Sequence, residues 1–153
     1  MVITKDFSFE AAHMLSNYSG PCSNLHGHSY TGRITLSGPV DDDTGMILDF
    51  NRIKNVIQAY DHATLFSDEK IRDVAEEALL KWCQEWGMKH VIIKWFKCTA
   101  EHIAGQIGRE VLECFPKEIR PQFQVQVSLK ETASSEVVSI NRWVNNDDEG
   151  DAA

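Results

Sequence analysis

The chain has 153 residues, 42% of them hydrophobic and 25% charged, which is the balance of an ordinary globular domain. Its net charge of −8 argues against a nucleic-acid partner, because phosphate binding needs clustered Lys and Arg. No apolar run approaches the roughly 20 residues of a membrane span, and residues 1–6 lack the basic start and apolar core of a signal peptide, so we expect a cytoplasmic protein without membrane contact.

Hydrophobic periodicity divides the chain into strands, whose apolar residues alternate, and helices, whose apolar residues recur every three or four positions. In the first half of the chain, the sequence predicts strands over 2–12 and 29–37, a short extended run over 46–48 and a helix over roughly 50–60. A second helix is capped by Ser67 or Asp68 and stops at Gly87, and a strand over 91–96 follows it. A third helix is capped by Thr99 and ends before Pro116, and the last two strands cover 123–129 and 137–140.

This order of elements predicts the fold class. Two strands, helices and two closing strands, with an extra helix–strand segment in the middle, are typical of an α+β fold in which helices cover one face of an antiparallel sheet. Residues 1–144 contain no linker long enough to divide them, so we expect one domain. Residues 145–153 are polar and acidic and are expected to form a disordered tail.

Half of the six histidines are concentrated in two short segments, at His13 and in the stretch that holds His26 and His28. Residues 26 and 28 of a strand point to the same face because the side-chain period is two, and Gly27 lets the backbone approach its neighbours. Imidazole is a common zinc ligand, and three nitrogen ligands leave the fourth tetrahedral position open for water or substrate. No carboxylate or thioether joins the set, which favours zinc over iron or copper. The alternative is two surface histidines and one core histidine.

Cys22 lies four residues before His26. As a fourth zinc ligand it would close the site, whereas as a free thiolate beside a cation it would act as a base or nucleophile. A small buried side chain is the third alternative, and we favour the catalytic interpretation. The other cysteines, Cys83, Cys98 and Cys114, are widely spaced with no CxxC pair, so a disulfide scaffold is not expected.

Two further acidic positions have weaker signals. In Asp61-His62 the carboxylate can fix the tautomer of the imidazole and form a proton-transfer dyad, although this dipeptide is common by chance. Glu131 follows an apolar strand and could accept two parallel N–H bonds from a heterocycle. From the residues alone, a charge that faces water at a strand end is the favoured interpretation of Glu131.

Six motifs occur in order along the chain. They are Lys5–His13, Cys22-x-x-x-His26-Gly27-His28-Ser29, Gly45-x-Ile47-x-Asp49-Phe50, Asp61-His62-x-x-Leu65, Thr99-x-Glu101 and Lys130–Thr132. Together they resemble the 6-pyruvoyl-tetrahydropterin synthase superfamily, over residues 4–66 and about 97–140. The gap of three residues between Cys22 and His26 is most similar to the bacterial 6-carboxytetrahydropterin synthase branch, which acts in queuosine biosynthesis.

The resemblance implies a tunnelling fold, or T-fold, in which trimers form a barrel and two trimers stack as a homohexamer with active sites between subunits. It implies one zinc ion per subunit at the three histidines and a pterin as the small-molecule substrate. The site residues that it implies are Cys22, Asp61 and His62 for catalytic proton transfer, Glu131 as the anchor of the pterin ring, and Thr99 and Glu101 beside the pterin pocket.

The reaction that the resemblance implies is the conversion of 7,8-dihydroneopterin triphosphate to 6-carboxy-5,6,7,8-tetrahydropterin, with release of acetaldehyde and triphosphate. Two alternatives stay open. One is the pyruvoyl synthase reaction, which eliminates triphosphate but keeps the side chain. The other is a non-catalytic paralogue that binds a pterin or zinc.

The chain departs from the family pattern at three places. Phe66 stands where the family often has Asn, Cys98 where it usually has Pro, and the segment 67–96 is longer than in compact bacterial relatives. These departures leave the motif residues intact but bear on contacts at the rim of the substrate pocket. Nothing in the spacing selects the triphosphate ligands among Arg33, Arg52, Lys54 and Lys130.

Overall fold

Six strands form one sheet, and helices pack on one of its faces. The computed structural model describes residues 1–143, so the predicted tail at 145–153 lies outside the described residues. Among the described residues, no helix has the length and apolar character to cross a membrane. The elements are β1 Val2–His13, β2 His26–Ser37, α1 Phe50–Tyr60, β3 Ala63–Ser67, α2 Val74–Glu85, β4 His90–Ile93, α3 Ala100–Leu112, β5 Gln124–Thr132 and β6 Ser135–Arg142.

The predicted α+β fold with helices on one face of the sheet is confirmed, but the sheet is mixed rather than wholly antiparallel. The strand order is β4-β3-β1-β2-β5-β6. Strands β1, β2, β5 and β6 pair antiparallel, whereas β3 runs parallel to β1 and β4 runs parallel to β3. Helix α1 precedes β3, and helix α2 connects β3 to β4. A helical connection of this kind is what joins two parallel strands such as β3 and β4.

Strand β3 was not predicted from the sequence. Four of its five residues are buried, because it lies between β1 and β4 inside the sheet. A strand that is covered on both faces lacks the polar–apolar alternation by which strands are recognised. Its residues therefore resemble a short loop after Asp61-His62.

The boundaries of the middle segment also differ from the prediction. Asp73, rather than Ser67 or Asp68, caps α2, and its carboxylate accepts from the backbone N–H groups of Ala75 and Glu76. The strand expected over 91–96 covers His90–Ile93, and Trp95 has a left-handed backbone with φ of 68°. A bulky residue in that conformation ends a strand.

The core lies between the sheet and helices α1 and α3. Alternate residues of β1, β2 and β5 point into it, as the period of two requires, and apolar residues of the two helices at spacings of three and four meet them. The fully or almost fully buried members include Phe9, Tyr30, Ile34, Ile53, Ile103, Ile107, Leu112, Val125, Val127 and Leu129.

Alanine substitutions at two glycines of α3 should change the free energy of unfolding in opposite directions. A Cβ at Gly108 would lie 2.0 Å from Asn141 Nδ2, a buried side chain on β6, whereas a Cβ at Gly105 has its nearest neighbour at 3.5 Å. Gly108→Ala should lower the free energy of unfolding by about 1–3 kcal/mol through overpacking. The matched control Gly105→Ala should raise it by about 0.5–1 kcal/mol because alanine is the better helix former. Urea unfolding measures both, and a stabilising Gly108→Ala would contradict the packing of α3 on β6.

Candidate metal centre and catalytic cavity

The first two strands bring the three predicted histidines together. His13 lies directly opposite His26 in the β1–β2 ladder, and His28 follows two residues later on the same face. One ligand nitrogen from each ring lies within 4.8 Å of the others. The antiparallel register therefore converts two distant sequence segments into one cluster, as the spacing predicts.

Backbone carbonyls orient two of the three rings. Nδ1 of His13 donates to the carbonyl of Cys98 at 2.7 Å, and Nδ1 of His26 donates to the carbonyl of Asn24 at 2.8 Å. A ring that donates through Nδ1 presents the lone pair of Nε2. Metal-binding histidines are usually fixed in this way by a partner on the other nitrogen.

The environment of His13 favours its neutral form. Burial lowers the pKa of its imidazole, while the hydrogen bond to Cys98 and the charge of Glu131 act in the opposite direction. A metal ligand must be unprotonated. The three imidazoles therefore fit a metal ion in geometry, two of them, His13 and His26, in tautomer, and His13 also in charge.

A cavity of about 650 Å³ opens beside the cluster. Its lining includes the three histidines together with Cys22, Thr99, Glu101 and Glu131. Cys22 is half-buried in a short 3₁₀ turn over Pro21–Ser23, and the Cys22 carbonyl accepts from the N–H of Leu15 at 2.9 Å. Seven of the nine predicted site residues thus line one cavity.

Glu131 faces this cavity rather than open water, contrary to the interpretation favoured from the residues alone. The β5–β6 register shifts between Lys130 and Thr132, and such a bulge re-aims side chains. The Glu131 side chain is 26% exposed, and Oε1 lies 3.7 Å from Nε2 of His13. The carboxylate therefore lies next to the histidine cluster.

Tyr30 is a residue of the site that the sequence reasoning missed. Its side chain is fully buried, and its hydroxyl donates to Glu131 Oε1 at 3.3 Å and lies 3.5 Å from Nε2 of His13. Burial, and then the charge of Glu131, raise the pKa of Tyr30, so its hydroxyl keeps the proton that it donates. The available signal was its place two residues after His28, on the same face of β2.

Thr99 and Glu101 lie at the first turn of α3, on the wall of the cavity. A hydrogen bond from Thr99, followed by one from the Glu101 backbone N–H, holds the pKa of the Glu101 carboxyl below its usual value. Thr99 caps the helix by position, although its side chain makes no capping hydrogen bond and contacts Nδ1 of His102 instead. Both residues can therefore offer polar groups to a ligand.

Asp61 and His62 form the predicted pair but do not line this cavity. Nδ1 of His62 lies 3.0 Å from Asp61 Oδ2, and Asp61 Oδ1 accepts from the N–H of Glu10 at 3.0 Å. These hydrogen bonds, that from Glu10 first, lower the pKa of the Asp61 carboxyl. The His62 side chain is 78% exposed and borders a second cavity of about 410 Å³, whose lining includes Glu10, Ala12, Ser29 and also His28 of the histidine cluster.

Glu10 and Ala12 alternate with Ala11 and His13 along β1 and point to the opposite face. The cavity beside His62 is lined by residues of both faces, and His28 borders it as well as the cavity of the histidine cluster. His62 has φ of 57°, a left-handed conformation that is uncommon for a residue other than glycine. Conformations of this kind cluster at functional sites. The exposed, oriented imidazole is therefore available to a molecule outside the protomer.

Comparison with known sequences gives one family. The family described as 6-pyruvoyl tetrahydropterin synthase matches residues 2–141. A Haemophilus influenzae protein named 6-carboxy-5,6,7,8-tetrahydropterin synthase is 33% identical over 110 residues, which are 67% of this chain and 75% of that protein. A Rickettsia bellii protein of the same name is 30% identical over 138 residues, 84% of this chain and 92% of that protein.

Solved structures resemble the fold. The 6-pyruvoyl tetrahydropterin synthase of Plasmodium falciparum has a TM-score of 0.62 at 18% identity and covers 94% of this chain and 98% of its own. The enzyme of that name from Caenorhabditis elegans has a TM-score of 0.55 at 21% identity, with 92% and 95% covered. From the match over nearly its whole described length, the chain belongs to the 6-pyruvoyl tetrahydropterin synthase family and is an enzyme of the tetrahydropterin synthase type.

Proposed function

We propose that the enzyme is a zinc-dependent lyase that converts 7,8-dihydroneopterin triphosphate to 6-carboxy-5,6,7,8-tetrahydropterin. Acetaldehyde and triphosphate leave, one water is consumed, and the product enters the biosynthesis of queuosine or another 7-deazapurine. The observation that carries the proposal is the single cavity lined by Cys22, three histidines and Glu131. The relatives named 6-carboxy-5,6,7,8-tetrahydropterin synthase support this product over the pyruvoyl one.

His13, His26 and His28 would hold one zinc ion per subunit. Three imidazole nitrogens without a carboxylate in the cluster suit zinc. Bound at these residues, zinc would supply Lewis-acid chemistry that lowers the pKa of hydroxyl groups on the substrate side chain.

The protein side chains divide the remaining work. Glu131 would accept two N–H bonds from the pterin ring, an arrangement that its two carboxylate oxygens match. Cys22 would move a proton between the side-chain carbon and the ring, and His62, oriented by Asp61, would act as the second acid or base. Thr99 and Glu101 would contact the pterin from the wall of the cavity.

The dyad would act on the cavity of a neighbouring subunit. Within one protomer the His62 side chain is 78% exposed and does not border the cavity that Cys22 lines. A heterologous contact, in which one subunit presents its dyad to the cavity of the next, forms a ring when its rotation closes. Such a ring agrees with the homohexamer of two stacked trimers, with sites between subunits, that the family resemblance implies.

We expect the pure, zinc-loaded protein to release acetaldehyde from 7,8-dihydroneopterin triphosphate in a one-to-one ratio with 6-carboxytetrahydropterin. Mass spectrometry of the pterin and an aldehyde assay measure the two products. A pterin that retains a three-carbon side chain would replace the proposal by the pyruvoyl reaction. Tight substrate binding without any product would replace it by the non-catalytic paralogue.

Cys22→Ala should lower turnover by about 10²–10⁴-fold, the usual contribution of a general acid or base, while the zinc content stays at the wild-type level. Cys114→Ala is the matched control, because that half-buried thiol donates to the carbonyl of Glu110 and does not line the cavity. Steady-state kinetics and metal analysis give both readouts. Undiminished turnover of Cys22→Ala would exclude the thiol from the mechanism.

Complementation tests the division of the site between subunits. Cys22→Ala and His62→Ala should each be inactive alone, and reassembly of an equal mixture should restore about one quarter of the wild-type activity, since only sites with both intact groups work. Activity is measured after the mixed subunits have been dissociated and reassociated. No recovery, with mixed oligomers shown to form, would place Cys22 and His62 of one subunit in the same site.

A further inference from the structure

Glu76 is a buried carboxylate that the proposed reaction does not use. It lies in the first turn of α2 with no exposed surface, and within residues 1–143 no other Asp or Glu is buried. Glutamate is almost never fully buried without partners because desolvation is costly. Hydrogen-bond partners must therefore compensate for the burial of the Glu76 carboxylate.

Both carboxylate oxygens of Glu76 accept hydrogen bonds from buried serines. Oε1 accepts from the backbone N–H of Ser67 at 2.6 Å, and Oε2 accepts from the hydroxyl of Ser16. The Ser16 oxygen in turn accepts from the N–H of Asp73 at 2.9 Å. One side chain thus joins the end of β3 to the loop that follows β1, three residues after His13.

The hydrogen bonds continue from Ser67 to the metal cluster. The Ser67 hydroxyl oxygen accepts from the N–H of Cys98 at 3.0 Å, and the carbonyl of Cys98 accepts from Nδ1 of His13 at 2.7 Å. Ser67, Glu76 and Cys98 have no exposed surface, and His13 has 3%. The carbonyl that orients the His13 ring is therefore held in place by a buried chain of hydrogen bonds.

We propose that Glu76 and Ser67 are positioning residues for His13, which set its ring orientation and thereby the affinity of the three histidines for zinc. The inference rests on the proposed function, in which His13 is a zinc ligand. Neither side chain lines the cavity. Ser67 acts through the backbone of Cys98, and Glu76 acts through its hydrogen bonds with Ser67 and Ser16. Outer-shell partners of metal-binding histidines typically change metal affinity by about 10–100-fold when removed.

The test measures the zinc dissociation constant of the full-length protein by competition with a chromophoric chelator. Glu76→Gln and Ser67→Ala should each weaken zinc binding by about tenfold, the lower end of that range. Turnover should fall at limiting zinc and recover at saturating zinc. Glu110→Gln is the matched control, because Glu110 also accepts from two neighbours, Tyr60 at 2.8 Å and Gln106 at 3.0 Å, away from the histidines.

The possible outcomes separate this inference from the proposed function. Wild-type zinc affinity in folded Glu76→Gln and Ser67→Ala would overturn it, as would a loss of turnover that saturating zinc does not restore. If Glu76→Gln fails to fold, Ser67→Ala, which removes a single oxygen atom, decides alone. A similar loss of zinc affinity in Glu110→Gln would show that general destabilisation is the cause. By contrast, wild-type zinc affinity in His13→Ala would overturn the proposed metal centre itself.

Discussion

The pairing register of β1 and β2 is the constraint on which the rest of the site depends. It places His13 opposite His26 and Phe9 opposite Tyr30, and the latter two rings stack with centroids 4.8 Å apart. A slip of one residue would turn every side chain of β2 to the other face. Such a slip would break the histidine cluster and also expose Tyr30, which is fully buried. Core packing and the site geometry are thus enforced by the same ladder.

The same strand also holds the dyad, through its backbone. The N–H of Glu10 donates to Asp61, and the carbonyl of Glu10 accepts from the N–H of His62 at 2.6 Å. His13 of β1 lines the cavity beside the histidine cluster, whereas the backbone of Glu10 fixes the dyad outside that cavity. A single protomer therefore holds the cavity and the dyad apart. In the proposed ring of identical subunits, each cavity would meet the dyad of its neighbour.

The sequence predicts the features that follow from local periodicity, but it does not predict those that depend on which strands become neighbours. The histidine cluster was predictable because residues 26 and 28 share a face on any strand. Without the family resemblance Glu131 was not predictable, because a strand-end carboxylate faces either water or a cavity according to the bulge after Lys130. Tyr30 was hidden by its own burial, since an aromatic residue at an inward position of a strand is typical of a core. The direction of β3 and β4 is not encoded in their composition, and the roles of Cys22, Asp61 and His62 stay predictions.

Hydrogen bonds close the base of the segment between β3 and α3. Asp68, next to the end of β3, accepts from the N–H of Trp95 at 2.8 Å, and its own N–H donates to the carbonyl of Phe96 at 3.0 Å. The hydrogen bond from the N–H of Cys98 to the Ser67 hydroxyl lies next to these two bonds in the sequence. A fully apolar base would avoid the desolvation of Glu76, but it would leave the N–H groups of Ser67 and Cys98 without acceptors, which costs about 1–3 kcal/mol for each buried group. The polar network therefore both closes the segment and fixes the carbonyl behind His13.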